Sequence, residues 1–306
     1  MSGEAPTSRL DRLRGFLAAS PGAMVAAIVL TVIAFAALLA PLIAPQNPFD
    51  LGSFDVLDAE LPPSWLQGGD PRFLLGTDAQ GRDLFSAILY GTRISLAVGV
   101  LAVAIQAAIG IPLGLIAGTV GGRVDSLVAR AADVQLSLST LMLAIIALAL
   151  FRAGLGGASL GDFAVPLLVL VIGLAEWPTF ARTARAATHV EAAKDYVRAA
   201  RALGASDTAI VRRHILPNIL SPLIVVATTQ VAGAIMAEAA LSFLGLGMPV
   251  TKPSLGTLIR SGYDLIFAGT WWVTVLPGLV LVLLLVAVNV LGDWLRDALD
   301  PRLSRS

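Results

Sequence analysis

Few side chains in this chain could do covalent or redox chemistry, and their spacing fits no reaction centre. There is no cysteine, so thiol nucleophiles, disulfides and thiolate metal sites are excluded. The two histidines, His189 and His214, lie 25 positions apart and match no ligand spacing. No Gly-x-x-x-x-Gly-Lys-Ser/Thr phosphate loop is present, since the glycine pairs near Gly154 and Gly245 lack the lysine. A membrane-embedded hydrolase would need a nucleophile and a base at one depth, and both histidines belong to the same polar loop. What remains is two carboxylates inside apolar stretches, Glu176 and Glu238. A charge at mid-bilayer costs roughly 3 kcal/mol on insertion scales, so each must be sheltered or used. Glu176 precedes Trp177 and Pro178 near the end of its stretch and can reach the interface. Glu238 stands four residues before Ser242 and can either accept a hydrogen bond between helices or line a solute path. An ion-coupled carrier would use both carboxylates as relays, and would usually carry an internal repeat, which is not evident. No catalytic, cofactor-binding or metal site is therefore expected.

The elements that must position these groups are membrane helices. The chain of 306 residues is 57% hydrophobic and 14% charged, a balance that suits lipid as the main solvent. A hydrocarbon core about 30 Å thick needs about 20 apolar helical residues. Six stretches qualify: 23–44, 96–117, 127–150, 163–181, 219–246 and 271–291. The first follows Arg9, Arg12 and Arg14 but is too long for a signal peptide's apolar core, so it reads as an anchor. With the N-terminus inside, the inner segments carry 15 Lys and Arg and the outer ones 6, which sets both termini in the cytoplasm. The formal net charge of +0 argues against a nucleic-acid binder. Gly110, Gly114 and Gly118 give one helix face without side chains, suited to close packing within the chain or against a partner subunit. Pro112, Pro166, Pro178 and Pro222 predict kinks or local unwinding. Trp271, Trp272 and Trp294 read as interfacial anchors. The Pro45–Arg82 loop, rich in proline and acids, suits either a docking surface or a scaffold for the outer face.

The stretch from Arg182 to Pro217 is rich in alanine and arginine and favours helix. Its pattern predicts one helix over 183–203, a glycine corner at Gly204, and a second short helix over 205–214. Ser206 is the expected N-cap, with Asp207 at the helix start and Arg212, Arg213 and His214 in its last turn. Pro217 is expected to close it. A solvated basic hairpin would satisfy the same charge rule, so local pattern alone does not assign a role.

Arg198-Ala-Ala-Arg-Ala-Leu-Gly204, followed by His214-Ile-Leu-Pro217, resembles the EAA loop of ABC importer permeases. The longer strings from Tyr196 to Ser206 and from Arg213 to Asn218 resemble the dipeptide, oligopeptide and nickel branch. Leu75 to Asp83, Gly91 to Leu96, and Ala239 to Gly247 are similar to other signatures of that branch's C-type subunit. The resemblance runs from about Leu75 to the C-terminus. It implies an all-α polytopic fold of the type I importer kind with six transmembrane helices. The divisions would be a tail (1–22), a first helix (23–44), an outer loop (45–93), a core (94–295) holding the coupling loop (182–217), and a tail (296–306). It implies residence in the bacterial cytoplasmic membrane and a solute path shared with a second, homologous permease. It also implies two ATPases that bind ATP and magnesium, and an extracytoplasmic binding protein; the solute would be a peptide or a related small molecule. By this resemblance the coupling residues are Asp195, Arg198, Ala199, Ala200, Gly204, Ala205, Ser206, Asp207, His214, Leu216 and Pro217. Arg198 stands where the family's eponymous glutamate would be, and Glu191-Ala-Ala193 is out of register. Asp195 or Asp207 would then take over its electrostatic role. Leu255 stands where the branch is associated with tryptophan.

Overall fold

The computed structural model describes residues 20–50, 52, 55–154, 161 and 163–299. The tail arginines used in the orientation argument, Arg9, Arg12, Arg14, Arg302 and Arg305, lie outside them. The described residues are helical apart from loops and one isolated bridge between Thr77 and Asp83. Besides one-turn pieces at Ala40–Ile43, Val56–Asp58 and Ile266–Ala268, the helices in chain order are α1 (Pro21–Leu38), α2 (Leu84–Val120), α3 (Gly122–Ser137), α4 (Thr140–Gly154), α5 (Ala164–Ala192), α6 (Asp195–Ala202), α7 (Asp207–Ile210), α8 (Leu216–Phe243), α9 (Leu255–Tyr263) and α10 (Trp272–Leu299). Among the described residues, five runs are long and apolar enough to cross a membrane, and a bent pair makes up to six.

Two expected spans change shape. Residues 127–150 do not form one helix: α3 and α4 meet at a bend of 84°. Ser137, Ser139 and Thr140 crowd the junction, where hydroxyls compete for backbone partners; Ser137 Oγ donates to the Val134 carbonyl at 2.7 Å. α3 also carries Arg123, Asp125, Arg130 and Asp133, so its polar face is tied to α5 by ion pairs. Arg185 clasps Asp125 with both guanidinium arms, one at 2.7 Å, and Arg182 reaches Asp133 at 2.6 Å. The second change is α2, which starts at Leu84 rather than near Leu96. Its 37 residues span about 55 Å, longer than the hydrocarbon core, so its first turns, ahead of the apolar stretch 96–117, lie beyond that core. There Asp83 caps it by accepting from the Ser86 amide at 2.8 Å, and Gly91 lets the backbone of Ser254 and Leu255 approach.

The glycine row on α2 serves packing within the chain. A Cβ at Gly114 would fall within 3 Å of the Ala181 carbonyl, and Gly110 and Gly118 meet Trp177, Phe180 and Thr188 in the same way. α8 packs on α2 and α5, and α10 on α8, α9 and α1. The prolines do not unwind their helices: α2, α5 and α8 run through Pro112, Pro178 and Pro222 unbroken. Pro166 lies in the first turn of α5, where its missing N–H costs nothing.

The loop that precedes α2 is pinned by a buried ion pair. Arg82 and Asp78 are both buried and meet at 2.6 Å. Arg82 Nη1 also donates to the Val250 carbonyl at 2.7 Å, beyond the end of α8. Trp272 Nε1 donates to the Thr77 carbonyl at 3.2 Å. Trp272 is thus buried structure, not the interfacial anchor expected, whereas Trp271 is exposed. The stretch from Thr77 to Asp83 therefore acts as scaffold.

Two stability predictions follow from these contacts. Gly114→Val overpacks the α2–α5 seam and should cost about 2 kcal/mol, while Gly278→Ala, with open space around it, should leave thermal unfolding in detergent unchanged. Asp78→Asn leaves a buried guanidinium without its counter-charge, at a cost of roughly 3–5 kcal/mol. Joint replacement by Asp78→Leu and Arg82→Met should cost less; equal losses would show that the pair's charge is irrelevant.

Candidate coupling projection

Between α5 and α8 the chain folds into a short projection whose every turn has an identifiable cause. The expected single helix over 183–203 is broken at Ala193 and Lys194, where Lys194 turns extended before α6 begins. The break is held by Glu191, which is buried and accepts from Lys194 Nζ at 2.6 Å and from the Tyr196 hydroxyl. Tyr196 in turn accepts from Asn218 Nδ2 at 3.2 Å, and Asn218 donates to the His214 carbonyl at 2.7 Å. The Tyr196 and His214 rings pack 5.9 Å apart. Withdrawal from water, with the hydrogen bond to Glu191, pushes the Tyr196 phenol up to about 12. Glu191, out of register for the family motif, is thus a structural anchor joining the start and end of the projection.

α6 ends in a Schellman motif. Ala205 N–H bonds to the Ala200 carbonyl and Gly204 N–H to the Arg201 carbonyl, with Gly204 at φ 85° in the left-handed region that suits glycine. Ser206 then caps α7, accepting from the Ala209 amide at 3.3 Å. Val197, Ile210 and Ile215 are buried in the main core and root the projection in the bundle. Pro217 does not close the short helix as expected. α7 continues through a π-helical turn, Val211–Ile215, straight into α8, with Pro217 in the first turn of α8. The Leu216 amide bonds to the Val211 carbonyl, five residues back.

The exposed end carries Asp195, Arg198, Ala199, Arg201, Ala202, Leu203, Gly204, Ser206 and Asp207. Ala200 and Ala205 are half-buried beneath it, and His214 and Leu216 sit half-buried at its base. Both acidic candidates already have partners within the loop. Arg198 reaches Asp195 at 2.5 Å, and Arg201 reaches Asp207 at 3.1 Å across the glycine corner. Sequence reasoning did not single out Leu203, although it is 88% exposed at the tip. A large apolar residue directly before a helix-ending glycine was the available signal. Asn218 and Tyr196 were also passed over, because the polar contact that joins them spans 22 positions.

The membrane carboxylates are brought into hydroxyl pockets instead of a shared relay. Glu238 is fully buried and accepts from Ser95 Oγ on α2 and Ser242 Oγ on α8, each at 2.7 Å. Ser242 Oγ also accepts from the Met248 amide at 3.0 Å. Glu176 is half-buried and accepts from Thr140 Oγ1 at the start of α4. Glu238 therefore joins α2 to α8, and Glu176 joins α5 to the start of α4. An open cleft of about 620 Å³ lies beside the projection, lined by Arg182, Thr183, Val190, Glu191, Asn218 and Pro222 among others.

Comparison with known proteins gives a consistent picture. A family model described as binding-protein-dependent transport system inner membrane component matches residues 110–305, and one described as the N-terminal TM domain of oligopeptide transport permease C matches residues 14–63. The chain is 38% identical over 301 residues to the dipeptide transport system permease protein DppC of Haemophilus influenzae, covering 98% of this chain and 97% of that one. It is 41% identical over 285 residues to the di/tripeptide transport system permease protein DppC of Pseudomonas aeruginosa, covering 93% and 89%. An inward facing MetNI methionine ABC transporter structure is similar in fold, with a TM-score of 0.54 at 21% identity over 70% of this chain and 96% of that one.

The corner makes a local prediction. Gly204→Val has space for its side chain but not the backbone conformation, at a cost of roughly 1–2 kcal/mol, and Gly204→Asn should lose less. The expected readout is faster amide exchange from Ala199 to Ile210 with the bundle's melting nearly unchanged; unaltered exchange in the valine variant would contradict the assignment of the corner.

Proposed function

Because the chain belongs to the family of binding-protein-dependent transport system inner membrane components, we propose that its Arg182–Pro217 loop is the element through which partner ATPases drive it. The chain is a multi-pass permease subunit of an ABC importer. With a second permease it forms the path of a small solute, delivered from outside by a binding protein. Relatives named for dipeptides and di/tripeptides point to short peptides as that solute. The projection faces the cytoplasm together with both termini, in keeping with the excess of Lys and Arg on that side. ATP and magnesium belong to two ATPase subunits, and this chain contributes no catalytic residue.

The observation that carries this reading is the continuity of the projection with the bundle. From Asp207 to Phe243 the chain is one helical run of 37 residues, about 55 Å long at 1.5 Å per residue. A displacement at Ser206 or Asp207 therefore tilts α8 instead of dissipating in a linker. α8 packs on α2, α5 and α10, so its tilt is felt across the core, and two such permeases would alternate between outward and inward access. Glu176 and Glu238, the groups an ion-coupled carrier would need, are both engaged by hydroxyls between helices.

Reconstitution with the two ATPases, the second permease and the binding protein tests the assignment. Gly204→Lys should insert normally and yet lower peptide uptake at least tenfold at unchanged ATPase content. Uptake at the wild-type level would remove the corner from the coupling path. Asp195→Lys and Asp207→Lys, measured one at a time, should each lower transport-coupled ATP turnover if that carboxylate faces the ATPase. No effect at either position excludes both from that contact.

A further inference from the structure

The projection's chemistry specifies more about its partner than that it is an ATPase. From Lys194 to Pro217 the cations are Lys194, Arg198, Arg201, Arg212 and Arg213, against Asp195 and Asp207 alone. Lys194 is paired with Glu191, Arg198 with Asp195 and Arg201 with Asp207. Arg212 and Arg213 are exposed and have no carboxylate within ion-pair distance among the described residues. Both stand in the π turn directly behind α7, on the rod that carries the tip. At the corner Ala202, Leu203 and Gly204 form a short apolar stretch flanked by the paired charges, with Leu203 88% exposed.

A lone leucine held at a rigid corner gains by burial in an apolar pocket, and uncompensated guanidinium groups gain by facing carboxylates. A basic groove would instead be repelled by Arg212 and Arg213, and would have to displace Arg198 and Arg201 to reach Asp195 and Asp207. We infer that the ATPase groove receiving this loop has an apolar pocket for Leu203 and an acidic rim facing Arg212 and Arg213, so that electrostatics select the cognate ATPase. This rests on the coupling role proposed above and reverses the sign of the contact that a loop glutamate would make.

The test uses the assembled importer in detergent and in vesicles. ATPase binding should weaken as salt is raised, because exposed charges are screened over about 10 Å at 0.1 M and about 3 Å at 1 M. Arg212→Glu with Arg213→Glu should weaken it by about tenfold or more, with topology unchanged, and Leu203→Ser should weaken it without altering the salt dependence. Rescue of the double arginine variant by Asp or Glu→Lys changes on the ATPase groove completes the expected result. If the ATPases bind but neither salt nor arginine reversal matters, the acidic rim is overturned while the coupling role stands. If reversal changes only the dependence on anionic lipid, the arginines serve headgroups and the inference is likewise overturned. If the wild-type chain captures no ATPase, both readings fall.

Discussion

The contact on which the rest of the structure depends is the seam between α2 and α5. Along it Gly110, Gly114 and Gly118 leave the space that side chains would fill to the backbone and small side chains of Trp177 to Thr188. In a bilayer, lipid tails are as apolar as leucine, so helices associate by close packing and not by escape from water. A row of glycines converts that requirement into a fixed register between two helices. α5 also carries the root of the projection, and its last turns are clasped by Asp125 and Asp133 from α3. The seam and the clasps together determine where the projection leaves the membrane.

From that root the chain must turn twice and re-enter without losing stiffness. The first turn is stabilised by Glu191, Lys194 and Tyr196, the second by the Schellman corner at Gly204 and the Ser206 cap. Re-entry is the harder problem, because Pro217 cannot donate a backbone hydrogen bond and its ring would collide with the carbonyl four residues earlier, that of Arg213. Widening the preceding turn to a π-helix, with the Leu216 amide reaching Val211, accommodates the ring without ending the helix. The proline that would ordinarily stop a helix therefore sits inside a continuous rod.

Buried polar groups hold the opposite end of the molecule. Arg82, Asp78, Thr77 and Trp272 tie the loop before α2 to the segment that follows α8 and to α10, and Glu238 with Ser95 and Ser242 ties α2 to α8. Low dielectric makes such groups costly alone and strong when paired. The rod is consequently anchored at the end remote from the projection, whose tip is exposed.

Much of this was legible in the sequence. Apolar length located the spans because a helix must cover the hydrocarbon thickness. The glycine spacing marked a close-packed face, Ser206 and Gly204 marked the cap and the corner, and the motif register from Tyr196 to Asn218 set the loop apart from a plain basic hairpin. These signals are local, arising from backbone conformation and near neighbours. Only the tertiary structure decided that the glycine face meets α5, that Glu191 anchors a break in the expected first helix, that Trp272 is buried, and that residues 127–150 bend. Most depend on a group distant in sequence, Thr188 for Gly118, Thr77 for Trp272 and Arg185 for Asp125, and even the near contacts of Glu191 are completed by Asn218 on Tyr196. The sequence determined which segments are apolar enough to enter the membrane and where the glycine corner of the loop falls. The fold decided which charges are paired, because pairing is set by distances in space.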